Sequence, residues 1–90
     1  MDKYDTLHNT IASSFPQIID QFRVREFYAF RESHEDAIIY PPQIWCWIRD
    51  ELIGCEGPLL HAFIACGYSD RDDMTMYILQ EFKDCVDGSK

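Results

Sequence analysis

Residues 69–86, SDRDDMTMYILQEFKDCV, carry the clearest period in the chain. Met74, Ile78, Leu79, Phe82, Cys85 and Val86 recur at three- and four-residue steps, as on a helix with one face turned inward. Ser69 and Asp72 predict a capping box at its start, and Gly88 lies just beyond its end near Val86. Away from the apolar face, Asp70, Asp73, Tyr77, Glu81 and Asp84 stand at offsets of 3, 7, 11 and 14. That spacing draws an acidic ridge with a tyrosine at its middle, extending roughly 20 Å at 1.5 Å per residue. Acids in the first turn suit the positive end of the helix dipole whatever the protein does. Glu81 and Asp84, near the negative end, have no such explanation.

Working back from this helix, Gly57-Pro58 opens a short apolar helix, Leu59 to Cys66, that Gly67 ends. Within it, His61 reads as a hydrogen-bonded core histidine. Pro42 starts another helix with Ile44, Trp45, Ile48 and Leu52 on one face and Gly54 as its stop. Trp47 falls off that face, so either the helix packs on two sides, the reading expected for so large an apolar group, or Trp47 is a surface contact. Residues 24–40 are ambiguous. Val24, Tyr28 and Phe30 alternate as on a strand, allowing a hairpin of 27–31 against 37–40. Ser33 with Asp36 instead resembles a capping box for a short helix ended by Pro41-Pro42, and this helical reading is preferred. At the start, Asp2 is placed to cap a helix presenting Tyr4, Leu7, His8, Ile11, Ala12 and Phe15. Pro16 predicts a corner near Phe15 and a second helix holding Ile18, Ile19 and Phe22. The expected fold is therefore all-α, a compact bundle of about five short helices in one domain over residues 1–90, with 87–90 a loose tail. The alternative is α+β with one small hairpin.

Ninety residues allow one core, and an apolar fraction of 47% with 14% aromatics is enough to fill it. Sixteen acidic against eight basic side chains give a net charge of −8. That field repels nucleic-acid phosphates and anionic membranes and favours cationic partners, although acidity also serves plain solubility. Met1 to Asp5 does not look like a secretory leader, and the apolar run from Pro58 to Cys66 is far shorter than the roughly 20 residues a bilayer needs. A cytoplasmic protein is expected, with Cys46, Cys55, Cys66 and Cys85 reduced and acting as small hydrophobes.

Chemistry-bearing patterns are sparse. Cys55, His61 and Cys66 with Cys46 or Cys85 match no common zinc spacing. Cysteine paired with His8, His34 or His61 is the sort of combination any such composition offers. Residues 65–69 resemble the turn of a helix-turn-helix, but the following helix would bring Asp70, Asp72 and Asp73 toward phosphates with only Arg71 to offset them. No Walker A loop, dinucleotide fingerprint, nucleophile elbow or His-Glu-x-x-His is present. Neither enzymatic activity, a cofactor nor a metal is expected.

One short segment, Asp36-Ala37-Ile38-Ile39-Tyr40-Pro41, resembles the Asp-x-Ile-Tyr-Tyr-Pro segment of the colicin DNase immunity proteins, which are small acidic helical inhibitors. It spans six residues, with Ile39 in place of the middle tyrosine. In that family one final helix follows, whereas about fifty residues and three expected helices follow here, so membership is not assigned.

Size, charge and ridge together lead to an inhibitory or adaptor-type binding protein, as immunity proteins and phage-encoded anti-defence proteins such as anti-CRISPRs are. Asp70, Asp73, Tyr77, Glu81 and Asp84 would contact a partner protein with a basic surface, a nuclease or a nucleic-acid-binding complex, with Tyr77 as aromatic anchor. No direct contact with nucleic acid or membrane is expected. The alternative is a structural subunit that self-associates through Trp47, Tyr40 and Tyr68.

Overall fold

A computed structural model of the chain describes residues 2–34, 37–54 and 57–86. Helix α1 spans Lys3–Asp20, and Asp2 caps it, its carboxylate accepting the Tyr4 backbone N–H at 3.0 Å. The corner expected at Phe15 is absent, because α1 runs straight through Pro16. Leu7, Ile11, Ser14 and Ile18 are buried along one continuous stripe, with Phe15 and Phe22 packed beside it. An interior proline costs about 3 kcal/mol, but burying one large aliphatic side chain returns about 1.5–3 kcal/mol. Two helices meeting at Phe15 would break the stripe that Ile18 and Phe22 extend. Pro16 itself faces solvent.

Helix α2, Val24–Glu32, begins where Glu26 accepts the Arg23 backbone N–H at 2.8 Å. It ends at Ser33, whose hydroxyl donates to the Phe30 carbonyl at 2.6 Å. The structure thus overturns the expected helix opening at Ser33, which closes one instead. Residues 38–41 have no regular structure. The hairpin does not form either, since 27–31 lie in α2 and the pairing among the described residues is a single bridge, His34 to Ala37. Asp36, the supposed capping partner, lies outside the described residues. The period of this segment misled because Val24 and Tyr28 are on the solvent side of α2, whereas Phe27 and Phe30 are what it turns inward.

Helix α3, Pro42–Trp47, starts on its proline as expected and continues without a break into a π-helical segment, Ile48–Ile53. The wider turn moves the inner face by one residue, so the fully buried positions are Ile44, Ile48 and Ile53, and Leu52 is only partly covered. Gly54 follows, where an added Cβ would run into the Asp50 carbonyl; the widened helix can close here only without a side chain. Trp47 is partly buried against the core.

Helix α4, Pro58–Ala65, buries Leu59, Leu60, Ala62 and Phe63. His61 is not a core histidine: it projects from the opposite side of α4 and is exposed. Gly67, with φ of 92°, makes the turn into helix α5, Arg71–Val86. The cap of α5 is Asp70 and not Ser69. Its carbonyl accepts the Met74 N–H at 3.1 Å and its carboxylate the Asp72 N–H at 2.9 Å.

Helix α5 is the strut of the bundle, touched by α1, α2 and the π segment, while α1 also lies along α4. Its buried residues are Met74, Thr75, Ile78, Leu79, Phe82 and Lys83. Cys85, expected inside, is exposed. Among the described residues the architecture is five α-helices and one π segment, with no strand, as the helical reading required. No helix is long and apolar enough to cross a membrane among the residues described. The tail, 87–90, lies outside them.

Candidate functional site

The five ridge residues fall along one margin of α5, but they are not equivalent. Asp73 and Asp84 are exposed, and Met76 and Gln80 between them complete the outermost stripe of the helix. Asp70 is exposed as well, with its carboxylate engaged in capping. Tyr77 and Glu81 are partly buried where α5 meets α1. Here His8 lies between them. Its Nδ1 is 2.7 Å from Glu81 Oε1, and its Nε2 is 3.3 Å from the Tyr77 hydroxyl. The Tyr77 ring packs edge-on against Phe63 and Tyr68, each with centroids 5.7 Å away.

These contacts give Glu81 a local reason to sit near the end of α5: it holds an imidazole from α1. They also make Tyr77 part of the packing between α1, α4 and α5. Burial, and next the negative charge of Glu81, push the Tyr77 phenol above its ordinary value of 10.0. A phenol whose pKa is raised by folding stabilises the fold fully below its unfolded value, and that contribution is lost as pH rises through the folded one. Alkaline titration of phenolate absorbance should therefore show a late-ionising tyrosine, and Tyr77→Phe should remove it. An unaltered upper limb in Tyr77→Phe would contradict the assignment.

The charge balance of α5 depends on a residue that pattern alone misses. Lys83 is 2% exposed, and its Nζ donates to the Arg31 carbonyl at 2.7 Å. With that ammonium turned inward, Arg71 is the exposed basic residue on a helix that Asp70 caps and that carries Asp72, Asp73, Glu81 and Asp84. Nearby, the Arg49 guanidinium pairs with Asp50 at 3.0 Å and comes within 3.8 Å of Asp72. The pairing holds the Asp50 carboxyl below its ordinary value.

Elsewhere, Cys46, Cys66 and Cys85 are free thiols, and Cys55 lies outside the described residues. Cys66 Sγ is 3.6 Å from the Lys3 carbonyl. Among the described residues no three His, Cys, Asp or Glu side chains converge as metal ligands. In the segment that resembles the immunity proteins, Tyr40 stacks on Trp45 with centroids 5.9 Å apart, and Ile38, Ile39 and Tyr40 form one wall of an open hollow beside Cys46. The chain matches no protein family, no curated protein and no solved structure.

Proposed function

We propose that the protein is a small binding protein, an inhibitor or adaptor, that lays the acidic margin of α5 on a basic surface of a partner. The partner chemistry that suits it is a nuclease or nucleic-acid-binding complex, the kind of target met by immunity and phage anti-defence proteins. The supporting observation is the uneven exposure of charge on α5. Asp73 and Asp84 stand in water roughly 16 Å apart at 1.5 Å per residue, while Lys83 is withdrawn to the interior. Such a field steers association with a cationic groove and is sensitive to ionic strength.

Asp73 and Asp84 are the residues on which to test this, because reversing Glu81 would also undo its contact with His8. Wild-type protein and Asp73→Lys/Asp84→Lys, immobilised side by side, should retain different sets of proteins from source-cell extract. A basic protein kept by the wild type, released by added salt and lost from the variant supports the reading. Identical retention on both removes it. Association through Trp47, Tyr40 and Tyr68 has less in its favour, since all three are partly buried and packed against the core.

A further inference from the structure

A second surface lies on α2, and it is opposite in character to the margin of α5. Val24 is 73% exposed and Tyr28 55% exposed, one turn apart, with exposed Arg31 next along the same stripe. Arg25 on α2 and Arg23 at its cap are also exposed. Glu26 accepts the Arg23 backbone N–H and lies 3.5 Å from Gln43 Nε2, and exposed Asp20 precedes this segment at the end of α1. Glu32 remains as an exposed carboxylate at the far end. By contrast, Arg49 is paired with Asp50 and Lys83 is buried. With its cap Arg23, α2 therefore sets three of the chain's eight basic side chains beside exposed apolar surface.

From this complementarity we infer that the occupant of the α2 face is the α5 margin of a second copy of the chain. The apolar centre of one surface, Val24 and Tyr28, meets the apolar centre of the other, Met76, which is 37% exposed. Arg25 and Arg31 then reach the carboxylates that flank Met76, Asp73 and Asp84. Helices α2 and α5 are neighbours within the chain, joined by Phe30 on Phe82 with centroids 5.3 Å apart. In the proposed dimer a two-fold axis makes the same contact twice, α2 on α5 and α5 on α2. The net charge of −8 on each copy opposes the approach, so association depends on local pairing and is weak. This inference does not rest on the partner reading, although both use the outer stripe of α5.

Sedimentation equilibrium of the purified chain separates local pairing from overall repulsion. Wild type should show a concentration-dependent monomer–dimer equilibrium. Arg25→Glu/Arg31→Glu should weaken it about tenfold or more. Asp73→Lys/Asp84→Lys should weaken it similarly, even though that change halves the net charge and would strengthen any association limited by repulsion alone. Mixing the two variants should restore a heterodimer, because each α2 then faces an α5 of opposite sign. A wild type that stays monomeric, a dimer indifferent to both substitutions, or a tighter dimer in Asp73→Lys/Asp84→Lys each overturns the inference. The arginine variant keeps its α5 carboxylates, so its capture of a basic partner should persist even where its dimer is lost, and the two proposals fail separately.

Discussion

Phe82→Ala is expected to cost about 3–5 kcal/mol, a large part of the stability a domain of this size possesses. Phe82 is fully buried, and its ring meets Phe15 at 5.4 Å, Phe22 at 5.9 Å, Phe27 at 6.4 Å and Phe30 at 5.3 Å. Those four rings come from α1, the turn after it and α2, so a single side chain of α5 joins three parts of the fold. Removing it leaves a cavity that no one neighbour can fill, and the penalty grows with the volume left empty. Urea denaturation followed by far-UV circular dichroism measures the loss. Phe82→Leu, which keeps much of the volume, should cost distinctly less. A loss below about 1 kcal/mol in Phe82→Ala would mean that the aromatic cluster does not bind the helices together.

Lys83→Glu is the second large effect. The position is almost wholly enclosed, and its ammonium donates to the Arg31 carbonyl. A carboxylate there would be desolvated and would set an acceptor against an acceptor. Uncompensated buried charge costs about 3–5 kcal/mol, so this variant should be as badly destabilised as Phe82→Ala. Gln80→Glu, also on α5 but exposed, should stay within about 0.5 kcal/mol of wild type. Equal stability of Lys83→Glu and Gln80→Glu would show that position 83 is open to water.

Why Lys83 escaped a reading of periodicity is clear from its chemistry. A lysine four carbons from its charge can bury its stem wherever a carbonyl is in reach, and that carbonyl belongs to Arg31, distant in sequence. The contact of His8 with Glu81 and Tyr77 is hidden in the same way. His8 was legible as part of the α1 face, but nothing in the spacing shows which helix that face meets. Local signals did better. Pro42, Gly57-Pro58 and Gly67 mark helix boundaries because their backbone restrictions act within a residue or two. Pro16 is the exception: the helix runs through it, and the burial of Ile18 offsets a cost of similar size. The π turn after Trp47 left its trace in the spacing of Ile48 and Ile53, five residues apart, which an ideal helical period reads as a fault.

Of the acidic ridge, the sequence indicated the side of α5 and the structure divides the labour along it. Asp70 caps, Tyr77 and Glu81 hold α1, and Asp73 and Asp84 face solvent. The docking proposal therefore narrows to two carboxylates and the stripe between them. Once a partner has been captured, its affinity for wild type and for Asp73→Lys/Asp84→Lys should be measured by calorimetry across a series of salt concentrations. The account predicts that wild-type binding falls steeply with salt, and that the variant binds about tenfold or more weakly with a flatter dependence. Equal affinities with equal salt slopes would contradict it.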